Sequence, residues 1–298
     1  MRVSFLSLML AGGLAGLAAP ASAQDRPGDL AAREGAIVLE PRGAWTLDMR
    51  ESKCRLARWF GSESDPHLLV IEQSAPRYDF SLTLGGSSLL GFASASELRY
   101  GMERDEQMKR RTRFATADLE DVGPAVILAT VDIGPARSRE GPHAAGVYIP
   151  EAATIDRVVI EAQGRVIAFE TGSMERPFTA LNACTSNLLG AWGLDPAQHQ
   201  AYLPPSLIDE EGVLDRIKRR YPGTSRRRGE QGILYVRVIV EADGSPSDCV
   251  IENASELGSL NSPACSELRK ARFEPARDAE GNAMRSFVPL TLSYRLGS

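Results

Sequence analysis

From Cys54 to Phe169 the chain alternates short apolar runs with glycine, proline, serine or aspartate, a pattern that predicts strands. The runs fall at 54–60, 67–73, 78–84, 125–133, 157–160 and 165–169. In the third run Phe80, Leu82 and Leu84 share one face, the two-residue period of a half-buried strand. The period changes in 176–193, RPFTALNACTSNLLGAWG, where Phe178, Leu181, Cys184, Leu188 and Trp192 recur at steps of three and four. That spacing predicts a helix with one apolar stripe, Pro177 in its first turn and Gly193 at its stop. Residues 97–123 are dense in both charge signs and read as a solvated face.

The second half is patterned separately. Residues 195–212 hold three prolines without periodicity and read as a linker. Val213–Arg220 suits a short helix stopped by Pro222. Residues 232–241 are the clearest strand, with Leu234, Val236, Val238 and Val240 on one face. Asp243-Gly244 is a hairpin turn signal, and 249–252 is the returning strand. Ser262 is the expected cap and Pro263 the first residue of a helix whose Ala264, Cys265, Leu268 and Ala271 share a face, ending in Arg272–Ala276. The last strand is expected over 285–296, with Val288, Leu290, Leu292, Tyr294 and Leu296 apolar. The predicted fold class is α+β, a β-rich domain closed by a helix followed by a β–β–α–β unit.

Length and the first residues set the context. A chain of 298 residues suits about two domains. Arg2, the apolar run FLSLMLAGGLAGLAA and Ala21-Ser22-Ala23 read as a secretory signal cleaved before Gln24. The expected division is therefore a signal at 1–23, a lead-in at 24–35, a domain at 36–194, the linker at 195–212 and a second domain at 213–298. Export, to a periplasm, favours disulfides over metal for the four cysteines. Of three pairings, proximity favours Cys249–Cys265, which leaves Cys54–Cys184. Were the signal retained, the chain would be anchored in the inner membrane.

The second domain carries a family resemblance. Tyr221-Pro222, Arg226-Arg227-Arg228-Gly229, Gly232, the alternating strand, Asp243-Gly244, Val250, Leu260, Arg272-Phe273, Pro275-Ala276, Gly281 and Pro289 follow one another over 215–296 in the order and spacing of a known pattern. The segment resembles the carboxy-terminal domain of the TonB family. It departs at Ser225, at Ala254-Ser255-Glu256 and at Asn261. The resemblance implies a periplasmic module that pairs a sheet edge with an extended segment of an outer-membrane transporter, linked to transmembrane transport. The edge is expected on the last strand, at Phe287, Pro289, Thr291 and Ser293, with Tyr221 and Pro222 as further partner-binding candidates. The family's best-known members are membrane-anchored and carry a long Pro-rich spacer. This sequence has a cleavable signal and a folded domain in those places.

The leading expectation is a TonB-like envelope protein that binds a protein partner, a TonB-dependent receptor or another envelope protein, with a homodimer through the same edge as a second use. The alternative is a soluble periplasmic adaptor that touches envelope components without energy transduction, aided by the seven Lys and Arg residues of 216–228. No H-E-x-x-H, G-x-S-x-G, Ser-x-x-Lys or phosphate loop occurs, so no catalytic residue, metal site or cofactor is expected. Export and a net charge of −5 argue against nucleic acid.

Overall fold

The computed structural model describes residues 35–50, 52–102, 110–112, 114–133, 144–228, 232–254 and 261–294. The expected signal and nearly all of the lead-in lie outside them. The first half contains strands β1 (Ile37–Leu39), β2 (Pro41–Arg50), β3 (Lys53–Gly61), β4 (Pro66–Gln73), β5 (Asp79–Gly85), β6 (Leu98–Gly101), β7 (Arg110–Thr112), β8 (Ala115–Leu119), β9 (Gly123–Asp132), β10 (Val158–Ala162) and β11 (Arg165–Phe169). Its helices are α1 (Ile149–Ala152) and α2 (Glu175–Ala191). Then follow β12 (Ser206–Leu207), α3 (Glu210–Arg219), α4 (Gly223–Arg227), β13 (Gly232–Val240), β14 (Pro246–Ala254), α5 (Asn261–Leu268), β15 (Phe273–Glu274), β16 (Ala276–Arg277), β17 (Ala283–Met284) and β18 (Ser286–Tyr294). The class is α+β, as the alternation of periods implies.

Two sheets, β2-β3-β4-β5-β9-β8 and β1-β11-β10-β6-β7, share one core. Leu56, Ile71, Leu82 and Leu128 enter it from the first sheet, Val158, Ile160 and Phe169 from the second, and Phe178, Leu181 and Leu188 from α2. Each such burial contributes about 1.5–3 kcal/mol. Aromatic contacts tie the layers together: Phe60 meets Phe169 edge-on at 5.2 Å, and Phe80 meets Phe178 at 5.1 Å. The disulfide Cys54–Cys184 joins β3 to the buried stripe of α2.

The charged stretch 97–123 is more than a solvated face. It supplies β6, β7 and β8, and Leu98 and Tyr100 lie in the core. Met102 is buried with them, so the three alternate over only five residues, a run too short to stand out among the charges that flank it. Strand β2 carried no alternation to read because it is an edge strand, and Met49 on it is 62% exposed.

In the second half β13 lies between β14 and β18, antiparallel to both. Its even positions Leu234, Val236, Val238 and Val240 join Val288 and Leu292 beneath Val213 and Ile217 of α3 and Ala264, Cys265 and Leu268 of α5. Cys249–Cys265 fastens α5 to β14. Helix α5 begins at Asn261 and ends at Leu268, so Arg272–Ala276 does not end it. Phe273 instead donates its N–H to the Gly244 carbonyl and buries its ring, and the segment becomes two short strands. The side chain of Ser262 and residues 295–298 lie outside the described residues.

Residues 195–212 are not a free tether. Leu203 and Arg277 exchange backbone hydrogen bonds of 2.8 and 2.9 Å, and β12 pairs with β15. Pro204 and Pro205 sit between these two pairings, where no donor is demanded of them.

Candidate protein-binding edge

Strand β18 ends its sheet, with β13 on one side and no strand of the described residues on the other. Its side chains alternate between two faces. Val288, Leu290 and Leu292 pack toward the helices. Phe287, Pro289 and Thr291 face the first half of the chain, opposite Ile239, Arg237 and Tyr235 in register. Ser293 pairs with Ile233, and neither side chain is among those described.

The second face is covered. Phe287 is buried with Ala75, Leu189, Leu194 and Ile239, its ring 5.5 Å from Trp192 and 5.8 Å from His199. The Thr291 hydroxyl accepts a long 3.5 Å hydrogen bond from Arg77. Arg237 lies 4.3 Å over the Trp192 ring and 3.7 Å from Asp248, a cation–π contact reinforced by an ion pair. The Tyr235 hydroxyl donates to the Ala129 carbonyl at 3.4 Å, and burial pushes its pKa up. Arg285 bonds Glu241 at 2.9 Å and the Gly193 carbonyl at 2.9 Å, so the start of β18 is tied to the end of α2.

His199 closes the seam. It is 2% exposed, with Nδ1 2.8 Å from the Asp195 carbonyl and Nε2 2.9 Å from the Ser286 hydroxyl. A carbonyl only accepts, so Nδ1 carries the proton, and Ser286 donates to Nε2. Burial holds the His199 pKa below its ordinary value against the opposing effect of Asp195.

Of the candidate residues, Phe287, Pro289 and Thr291 stand together on β18, and Ser293 follows in the same strand. Tyr221 stands apart, half-buried against the core beneath the helices, with Pro222 beside it. The side chain of Phe287 is occupied by the seam, so at that position the free edge offers main chain. Of the residues that build the seam, Trp192 was legible only as the end of a helix stripe, and Arg77, Arg237 and His199 carried no sequence signal. Each gains its role from a partner far along the chain.

The basic segment has its own arrangement. Glu267, only 5% exposed, receives Arg220 at 2.7 Å, Lys270 at 3.1 Å and Arg216 at 3.9 Å. The Lys270 hydrogen bond, then the Arg220 and Arg216 charges, hold its carboxyl below the usual range. Lys218 and Arg220 remain 67% and 57% exposed. Among the described residues no three His, Cys, Asp or Glu side chains converge as a metal site. No helix there is long and apolar enough to cross a membrane.

Residues 217–296 match the family described as Gram-negative bacterial TonB protein C-terminal. The chain ends in a TonB C-terminal domain. Over 85 residues it is 30% identical to Protein tonB2 of Pseudomonas aeruginosa, a match covering 28% of this chain and 31% of that protein. Over 93 residues it is 30% identical to Protein TonB of Pseudomonas putida, covering 31% and 32%. The chain thus spans about a third of the length of these curated relatives. The TonB C-terminal domain accounts for β13, β14, α5 and β18, while Ala75, Leu189, Trp192 and Leu194, which cover Ile239 and Phe287 on one face of its sheet, lie outside the match.

Proposed function

We propose that the chain is a TonB-like envelope protein that binds an extended segment of a protein partner by strand addition along the free side of β18. The division into a domain at 36–194, a connection at 195–212 and a TonB-like domain at 213–298, exported behind the signal at 1–23, belongs to the same reading. One observation carries it: the terminal strand of the matched domain holds Pro289 at its centre, opposite Arg237. Proline has no N–H, so this pair suits a position that makes no ladder bond to β13. The backbone of Phe287 and Thr291, two residues to either side, and of Ser293, four residues on, then faces the free side with donors and acceptors available to an added strand. A TonB-dependent outer-membrane transporter is the partner class that the family suggests, which would link the chain to transmembrane transport.

The test is a binding assay with TonB-box peptides on the full chain and on Thr291→Pro. In this register the substitution removes an outward N–H and leaves the β13 ladder intact. Binding that exceeds a scrambled control, and is lost in the variant with an unchanged melting temperature, supports the reading. No binding above the scrambled peptide removes it. Sedimentation of the free chain separates peptide binding from pairing of two copies through the same edge.

The exposed cations at Lys218, Arg220 and Lys270 favour a second reading, an adaptor resting on an anionic lipid or glycan surface. Co-sedimentation with anionic liposomes or peptidoglycan that falls steeply with salt would support it. Salt-independent or absent pelleting would exclude it.

A further inference from the structure

Resting on the strand-addition reading, we infer that Arg77, from the first half of the chain, selects the strand added at β18 by bonding an acceptor side chain, carboxylate or carboxamide, placed beside Thr291. The β4–β5 connection brings two residues to β18: Ala75 packs with Phe287, and Arg77 reaches the Thr291 hydroxyl. This connection is held in place. The buried Gln73 amide donates to the Arg77 and Asp79 carbonyls, each at 2.7 Å. Arg77 is forked onto the Asp79 carboxylate through Nε and, at 2.7 Å, through Nη2. Asp79 is almost fully buried, while the Arg77 side chain keeps 19% of its surface in solvent.

The guanidinium has five N–H donors. Two go to Asp79 and one to Thr291. Two remain on a group whose orientation is already set. A strand added to β18 would lie about 4.8 Å beyond it, with alternate side chains on the face of Phe287 and Thr291. The side chain beside Thr291 therefore meets Arg77. Because Asp79 already balances the charge, hydrogen bonding rather than net charge does the selecting. Glutamate and glutamine are accepted, while an aliphatic residue leaves the donors unanswered and a lysine opposes them.

The experiment uses fluorescein-labelled octapeptides of alternating Val and Thr, with Glu, Gln, Leu or Lys placed at each position in turn. Anisotropy gives their affinity for the full chain, for Arg77→Lys and for Thr291→Pro. At one position Glu and Gln are expected to bind about 5-fold more tightly than Leu, the ratio for one net hydrogen bond. Arg77→Lys keeps the cation beside Asp79 but loses the planar fork. It should erase the preference and leave the Leu peptide unchanged, at a melting temperature close to that of the parent. Arg77→Gln serves as the second variant if the lysine form is unstable. A preference that survives in both variants, or Glu, Gln and Leu peptides that bind equally at every position, overturns the inference alone. Peptides that bind Thr291→Pro as well as the parent, or that bind neither, overturn the strand-addition reading on which it rests.

Discussion

His199 Nε2 lies 2.9 Å from the Ser286 hydroxyl, so a residue of the proline-containing connection is bonded to the first residue of β18. The imidazole is buried with Nδ1 committed to Asp195, and its pKa lies below the ordinary 6.5. The unfolded chain therefore binds a proton that the folded chain resists. Stability from this group is complete above about pH 6.5 and is lost as pH falls from there toward the lowered folded value. Urea midpoints measured from pH 8 to pH 5 should decline in the native chain, and the decline should be smaller in His199→Gln. The carboxylates with lowered values, such as Glu72 and Glu241, titrate at lower pH and do not confuse this window. Identical slopes in the two proteins would show that His199 is not the responsible group.

Arg237 is nearly buried between Trp192 and Asp248. Removing it strips a desolvated cation–π contact and leaves space in the seam. Arg237→Ala should lower stability by about 1–3 kcal/mol in denaturant unfolding and shift the emission of Trp192. Arg237→Lys should recover only part, since an ammonium cannot stack as a guanidinium does. Full recovery by lysine would mean that the Asp248 pair, not the ring, is what Arg237 supplies.

The two disulfides close loops of very different length, with sequence separations of 130 for Cys54–Cys184 and 16 for Cys249–Cys265. Loop entropy assigns them about 5 and about 3 kcal/mol. Replacing Cys54 and Cys184 together by serine should therefore cost more than the same change at Cys249 and Cys265. Equilibrium unfolding of the two double variants decides it, and the reverse order would rule out loop entropy as the main term.

Gly244 turns the β13–β14 hairpin at φ +79°, and a Cβ there would lie 2.1 Å from the Phe273 carbonyl oxygen. Gly281 has a similar φ of +87° but open space around it. Gly281→Ala should cost about 1–2 kcal/mol, the conformational penalty alone. Gly244→Ala carries the same penalty plus a backbone clash and should cost at least about 2 kcal/mol more. Thermal melts of the two variants compare them directly, and equal losses would mean that Phe273 moves aside freely.

Local periodicity was enough to place β3, β4, β5, β9, β10, β11, α2, α3, β13 and β18 close to their observed ends, because each pattern repeats within a few residues. Leu234, Val236, Val238 and Val240 alternate so regularly that their face was legible before any partner was known. Strand β2 and the strands of 97–123 were missed for the converse reason. Met49 is exposed on an edge, and Leu98, Tyr100 and Met102 alternate over only five residues among flanking charges. The connection at 195–212 was misjudged because its order comes from pairing with Arg277 and β15, not from any repeat of its own.

The sequence by itself determined the α+β class, the TonB-like order of the last domain, the two cysteine pairings and the strand that carries the edge. These rest on spacings between near neighbours or on a motif compact enough to be read in line, except Cys54–Cys184, which was left once the near pair Cys249–Cys265 was chosen. The tertiary structure decided that both faces of that strand are covered and only its outer edge lacks a strand partner among the described residues. Arg77 and Thr291 stand 214 residues apart, and His199 and Ser286 stand 87 apart. No pattern along the chain signals that such residues will meet. Their contact follows from two separately patterned units burying complementary faces against each other, so the seam exists only once both have folded.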